Sequence, residues 1–230
     1  MKRILLKLSG EALKNNSDGI IDFNYCLNIC NKIKKLYDRG FSIGIVVGGG
    51  NIWRGRNNTY IDSSLADKVG ILSTTINSLI LNAPFNELNV DSVVLNSFET
   101  EKIVDKISKE KVLSAIDDKK IIIFGGGTGE VGCSTDTAAA LRAIDINADY
   151  IVKLTNVDGV YDKDPKVYSD VKRYEEITFN EVLQKDLKVM DKEAFIICKE
   201  NDIPIIVMNV NDLEKLEYSL KGKNIGSFIK

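Results

Sequence analysis

The sequence predicts an α/β fold, a mostly parallel β-sheet covered by helices on both faces. Two observations predict it. Short apolar strands alternate with helical stretches along the whole chain. Three of the strands run straight into small or glycine-rich turns: Lys7-Leu8-Ser9-Gly10, Gly48-Gly49-Gly50-Asn51 and Gly125-Gly126-Gly127-Thr128-Gly129. Loops at the carboxyl ends of parallel strands are where ligands bind in open α/β sheets.

The elements follow in order. Arg3–Leu8 reads as a short buried strand ending at Ser9-Gly10. The spacing of Phe23, Leu27, Cys30, Ile33 and Leu36 predicts an amphipathic helix over Asp22–Arg39, with Asp22 as its cap and Gly40 as its stop. Ser42–Val47 is a second strand. Ser63–Leu81 is helical, with Leu65, Val69, Leu72, Ile76 and Leu79 on one face. Ser92–Leu95 and Ile121–Phe124 are strands, and Thr135–Ile146 is an alanine-rich helix. Tyr150–Leu154 and Ile205–Val210 are buried strands, and Asn224–Ile229 is a closing turn and strand. No repeat, linker or low-complexity segment interrupts this order. One domain over 1–230 is expected, in two halves of about 1–148 and 149–230.

The composition narrows the chemistry. In 230 residues, 44% are hydrophobic and 28% charged, with a net charge of −2. A strongly basic face for nucleic acid is therefore not the default expectation, although 31 Lys and Arg leave room for local basic patches. The start, Met1-Lys2-Arg3-Ile4-Leu5-Leu6-Lys7, has too short an apolar run for a signal peptide, and no stretch is long enough to span a membrane. A soluble, cytoplasmic protein is expected. The four cysteines, Cys26, Cys30, Cys133 and Cys198, have neither disulfide nor zinc-site spacing. The chain contains no histidine. Ser-His-Asp chemistry, histidine acid–base catalysis and histidine metal ligation are therefore excluded. Catalysis has to rest on Lys, Arg, Asp, Glu, backbone N–H groups and a diffusible metal. Phosphoryl transfer works that way, because it is mainly positioning and charge neutralisation.

Glycine-rich turns let backbone N–H groups approach an anion, and two GGG turns suit two phosphate-bearing ligands or two parts of one. Their bland reading is a pair of tight strand-to-helix turns. Neither fits the dinucleotide fingerprint, which fails at Trp53 and Glu130. The P-loop pattern fails as well, because Arg56-Asn57 stands where Lys and Ser or Thr are required. Lys7 lies inside an apolar strand, where an ammonium is expensive unless it meets an anion or alternation turns it to solvent. Arg54 offers a planar fork for phosphate oxygens. Asp136, in the first turn of the alanine-rich helix, is either a helix-end acid or a site carboxylate. The stretch from Lys153 through Thr155, Asn156, Val157 and Tyr161 to Asp164 is a strand end and a long polar turn. Its side chains can reach a base and a ribose.

On these residues the chain resembles the bacterial uridylate kinases of the amino-acid kinase superfamily. The resemblance runs from Lys2 to Ile229 and is carried by KRILLKLSGEAL at 2–13, VVGGGNIWRG at 46–55, STDTAAALRA at 134–143, VDGVYDKDP at 157–165 and LKVMDKEAF at 187–195. It implies a three-layer α/β/α sandwich that moves the γ-phosphoryl group of ATP onto UMP, with Mg²⁺ arriving on ATP. By the same resemblance Lys7, Arg54 and Asp136 are catalytic. Lys7, Leu8, Ser9, Gly10, Gly50, Arg54, Thr155, Asn156, Tyr161 and Asp164 meet ATP. Gly49, Asp67 and the run Thr128, Gly129, Glu130, Val131, Gly132, Cys133, Ser134 and Thr135 meet UMP, with Asp67 on the ribose. A homohexamer, activation by GTP and inhibition by UTP are also implied, with Asp22–Arg39 and its neighbours as candidate dimer contacts. Where the family usually carries Asn-Pro and two Phe, this chain reads Glu130-Val131-Gly132-Cys133, and the segment after Leu13, where the GTP response is seated, is short. Relatives acting on acetylglutamate, aspartate or carbamate carry a lysine near Met190-Asp191. A nucleotide-sensing module without catalysis is the remaining alternative.

Overall fold

The computed structural model describes residues 2–14, 19–54 and 60–230. Residues 55–59 hold the end of the second glycine motif, and 15–18 most of the short segment after Leu13. Both lie outside the described residues.

Strand β1 (Arg3–Leu8) leads through the first turn into α1 (Glu11–Lys14). Helix α2 (Phe23–Asp38) follows, capped by Asp22, whose carboxylate accepts from the Tyr25 N–H at 3.0 Å. Then come β2 (Ser42–Val47), α3 (Ser63–Glu87), β3 (Ser92–Asn96), β4 (Asp105–Lys106), α4 (Lys109–Asp117), β5 (Ile121–Gly125) and α5 (Thr135–Asp145). The second half of the chain adds β6 (Tyr150–Thr155), β7 (Val160–Tyr161), β8 (Arg173–Tyr174), β9 (Glu176–Ile177), α6 (Phe179–Gln184), α7 (Lys192–Glu200) and β10 (Ile205–Asn209). A 3-10 turn (Val210–Lys215), α8 (Leu216–Leu220) and β11 (Ser227–Ile229) complete it. No described helix is long and apolar enough to cross a membrane.

Among the described residues nine strands form one sheet in the order β4-β3-β5-β2-β1-β6-β10-β11-β9. Every pairing in it is parallel except β10 with β11. The chain builds outward from β1 on one side, then crosses from β5 over β2 and β1 to place β6 on the other. That reversal puts the topological switch point beside β1, where crevices open at the carboxyl ends of the strands.

Strand alternation sorts the core into two layers. Ile4, Leu6 and Leu8 of β1 pack with Val152 and Leu154 of β6 against α1, α2, the end of α3 and α8. Leu5 and Ile151 face α5, whose Ala138, Ala139, Ala140 and Ala143 are fully buried. The alanines let the helix lie close to the sheet. Cys26 and Cys30 are buried core residues, and burial raises the Cys26 thiol pKa to about 11.

Helix α3 differs from the sequence expectation. It continues through Pro84 to Glu87, and its apolar row points outward: Leu65, Leu72, Ile76 and Leu79 are 39 to 50% exposed. The buried face instead carries Ser73, Thr74, Thr75, Asn77 and Ser78. Small polar residues fit there because the glycine loops lie directly on the helix. A Cβ at Gly49 would sit 2.8 Å from the Ser73 Cβ and 3.0 Å from the Gly70 carbonyl.

Candidate phosphotransfer site

Lys7 lies on the α5 face of β1, and its cross-strand partner on β6 is Lys153. Both ammonium groups therefore point toward the first turn of α5. There the Asp136 carboxylate takes both lysines: Lys7 Nζ at 2.7 Å from Oδ1, and Lys153 Nζ at 2.9 Å from Oδ2 and 3.1 Å from Oδ1. Lys7 is 7% exposed and Asp136 9% exposed. Ser134 caps the helix, its Oγ accepting from the Asp136 and Thr137 N–H groups at 3.1 Å each. Two cations on one anion leave a buried excess of one positive charge. It sits at the carboxyl edge of the central strands and at the positive end of α5. An incoming phosphate is what such an excess lacks.

The charges perturb one another. Burial works to raise the Asp136 pKa, but Lys7 and then Lys153 outweigh it and hold the carboxyl below its ordinary value. Burial, and next the charge of Lys7, push Lys153 down to about 8, against the pull of Asp136 and, more weakly, of Asp191.

The turns close around this cluster. The Gly48 N–H donates to the Leu8 carbonyl at 2.9 Å, so the ends of β1 and β2 are joined. A cleft opens beside them, lined by Gly49, Gly50, Trp53, Asp67, Thr128, Cys133, Ser134 and Thr135. Asp67, on the first turns of α3, accepts from the Gly132 N–H at 2.7 Å and ties the Glu130–Ser134 loop to the helix. Gly132, Cys133, Asp67, Asp191 and Glu193 line the adjoining hollow. Trp53 Nε1 is buried without a hydrogen-bond partner among the described residues.

The structure brings Lys7, Ser9, Gly10, Asp136 and the cleft residues to one edge of the sheet. Leu8 itself is buried in the core of the α2 layer, so only its backbone is available to a ligand. Glu130 and Val131 are exposed and outside the cleft lining. Arg54 is not free: its guanidinium pairs with Glu11 Oε1 at 2.7 Å and donates to the Gly50 carbonyl at 3.3 Å. Thr155 ends β6 beside the first turn, its hydroxyl accepting from the Val157 N–H at 3.0 Å. Beyond it Asn156 is exposed, the Tyr161 hydroxyl donates to Asp158 Oδ1, and Asp164 accepts from the Lys166 N–H at 2.9 Å.

Several neighbours of this site have a part here that the sequence expectations do not give them. Lys153 is the main one: it enters there only as the start of a polar stretch, although the argument applied to Lys7, a cation within a buried strand, applies equally to it. Glu193 carries no local signal, and Asp191 enters the sequence reading only as the acid standing where amino-acid-directed relatives carry a lysine. They reach the site because α7 packs on α5, where the Thr137 hydroxyl donates to Glu193 Oε2 at 3.0 Å.

A buried lysine pair on a shared carboxylate, between glycine turns at a switch point, is a site for moving or holding phosphate. Residues 2–209 match the model of the amino acid kinase family. A uridylate kinase of Thermosipho melanesiensis is 37% identical over 228 residues, 99% of this chain and 98% of that protein. The crystal structure of UMP kinase from Ureaplasma parvum aligns with TM-score 0.92 and 37% identity, over 100% of this chain and 98% of that one. The crystal structure of UMP kinase from Bacillus anthracis aligns with TM-score 0.94 and 32% identity, over 100% and 96%. The chain belongs to the amino acid kinase family, and within it to the uridylate kinases.

Proposed function

We propose that the chain transfers the γ-phosphoryl group of ATP to UMP, giving ADP and UDP. The observation that carries this reading is the Lys7–Asp136–Lys153 cluster between the glycine turns, beside a cleft with a carboxylate on its wall. In the reaction a phosphate oxygen of UMP attacks the γ-phosphorus in line. The bond from that phosphorus to the β–γ bridging oxygen breaks, and ADP leaves. Lys7 and Lys153 meet the charge that spreads over the transferring group, and Asp136 keeps both aimed without itself approaching the phosphate. Backbone N–H groups of Ser9-Gly10 and Gly49-Gly50 cradle the flanking phosphates. Arg54 joins them once a phosphate competes with Glu11 for its guanidinium.

The acceptor side favours a nucleotide over an amino acid. Asp67, Asp191 and Glu193 line the acceptor hollow. Their carboxylate oxygens accept hydrogen bonds from the paired ribose hydroxyls of a nucleotide, which acetylglutamate, aspartate and carbamate lack. Thr155, Asn156, Tyr161 and Asp164 form the ATP nucleoside side, and Thr128–Thr135 the UMP side. Among the described residues no cluster of His, Cys, Asp or Glu is built to hold a metal ion, and both Asp136 oxygens are held by lysines. This donor set fits a Mg²⁺ carried by the phosphates of ATP, where it would neutralise charge on the nucleotide.

The outward apolar row of α3 supports self-association. Helix α2 is a weaker candidate for that contact, because Lys32, Lys35 and Arg39 bond Asn211, Glu214 and Glu217 of the same chain. Exposed apolar residues gathered on one face mark interaction sites, and Leu65, Leu72, Ile76 and Leu79 share one face of α3. We place a hexamer's dimer contact there, with GTP and UTP as its effectors, in the cytoplasm. The test of the activity is a coupled ADP-release assay across all nucleoside monophosphates and several amino acids. Turnover with UMP above every other acceptor is expected. Turnover with an amino acid alone, or with no acceptor, overturns the reading.

A further inference from the structure

Asn77 lies on the inner face of α3 and is fully buried. Its neighbours Ser73 and Thr74 donate back to carbonyls of their own helix, at Val69 and Ile71. Asn77 bonds away from the helix. Its Nδ2 donates to the Gly48 carbonyl and to Asn51 Oδ1, both at 2.7 Å. Its Oδ1 accepts from Asn51 Nδ2 at 3.2 Å. The two carboxamides thus face each other, each donating to the other. Asn51 Nδ2 also donates to the Ile20 carbonyl at 3.0 Å.

This pair sits on the join between the two turns. Asn51 Oδ1 lies so close over Gly10 that a Cβ there would be in hard contact with it. The same Cβ would stand 2.6 Å from the Gly50 nitrogen and 2.7 Å from the Gly48 carbonyl. The Gly48 N–H holds Leu8 from the other side. The first turn is therefore gripped between the second loop and the Asn51 side chain. Asn77 fixes both the Gly48 carbonyl and that side chain to the rigid body of α3.

We infer that Asn77 and Asn51 are positioning residues: their carboxamide clasp sets the distance between the donor-phosphate turn and the loop that also meets the acceptor. The inference rests on the proposed reaction, in which the two phosphates approach across this join. Neither side chain touches the reacting atoms. The nucleoside contacts assigned to ATP, Thr155 to Asp164, and the contacts assigned to UMP at Asp67 and Thr128–Thr135 lie outside this join and survive if the turns drift apart. In-line attack does not survive, since a displacement of about 1 Å between reacting groups costs roughly a hundredfold in rate. Removing either carboxamide also leaves its partner's buried polar atoms unsatisfied, so the loop shifts to find water.

The test uses Asn51→Ala, Asn77→Ala and the double variant in the full chain. Turnover is measured with saturating ATP and UMP, each nucleotide's Kd by calorimetry, and Tm by circular dichroism. Each single variant is expected to lose roughly ten- to a hundredfold in kcat while both Kd values stay within about threefold. The double variant should be no slower than the slower single one, because one shared interaction is lost. A folded variant with kcat within about twofold of the parent overturns the inference, as do kcat and both Kd values failing together in step with Tm. If Asn77→Ala does not fold, Asn51→Ala decides alone, because Asn51 is a half-buried loop residue. A parent that ignores UMP refutes the proposed reaction and not the clasp, which is then read with whichever acceptor the parent uses.

Discussion

Replacing Lys7 by methionine separates the charge of this side chain from its packing. The methylene stem of Lys7 is buried on the α5 face of β1, and methionine fills nearly the same space. The charge cluster changes from two cations on one carboxylate to one on one. Asp136 keeps Lys153 at 2.9 Å, so no buried charge is left without a partner. Replacing a buried ion by an apolar residue of similar volume is often neutral, so stability should move by no more than about 1 kcal/mol. Catalysis should not be spared. A cation aimed at the transferring phosphoryl group acts mainly in the transition state, and its loss should lower kcat by about a hundredfold or more, ~3 kcal/mol. The second-largest influence depressing Lys153 is the charge of Lys7, so its pKa should also rise in the variant. The assay pairs steady-state turnover with thermal unfolding of the same preparation. Near-parental kcat in a folded Lys7→Met protein refutes the reasoning. So does a loss of kcat that vanishes when corrected for the unfolded fraction.

Five further outcomes are expected. Asp67→Asn should raise the KM for UMP by roughly ten- to a hundredfold while leaving that for ATP nearly unmoved, since charge-assisted hydrogen bonds are worth ~1.5–3 kcal/mol. An equal loss with 2′,3′-dideoxy-UMP would show that Asp67 does not read the ribose. Lys153 titrates at about 8 in the folded chain against 10.5 ordinarily, so a bound phosphate, which favours the ammonium, should draw in a proton above pH 8. Calorimetry of ATP binding in buffers of different ionisation enthalpy should detect that uptake, and its absence at pH 8–9 would remove Lys153 from the phosphate site. The same group makes the free protein gain stability as pH rises from 8 to 10.5. There the unfolded chain still binds a proton that the folded chain has released, and a flat or falling contribution would contradict the depressed pKa. With Glu130–Cys133 in place of an aromatic pair, UMP should remain preferred over CMP and dUMP by a reduced margin in kcat/KM. Equal values for UMP and CMP would show that the loop does not select the base. Finally, Leu72→Glu with Ile76→Lys should convert the assembly to smaller species in light scattering at micromolar concentration, because charges replace apolar side chains on the outward row of α3. An unchanged mass would place the interface elsewhere.

Much of this protein is legible in its residues alone. Short continuous apolar runs mark the strands, because a strand buried on both faces has no polar side to show. Glycine turns at three strand ends locate the ligand edge, and Lys7 announces itself as a charge where none belongs. The lack of histidine leaves phosphate chemistry as the natural use for the cations that remain. These are local facts, decided by side-chain type and spacing. Tertiary structure decided the rest. Lys153 becomes the partner of Lys7 only through the pairing of β1 with β6, elements far apart in the chain whose register no local pattern specifies. The outward turn of the apolar row on α3 was equally hidden. Spacing reveals that a helix has an apolar face, but which face meets the sheet depends on what the sheet offers. Here it offers two glycine loops and the strand ends beside them, and Asn77, Ser78 and Thr75 donate to the Gly48 carbonyl, the Phe124 carbonyl and Asn96 Oδ1, hydrogen bonds that leucine could not make.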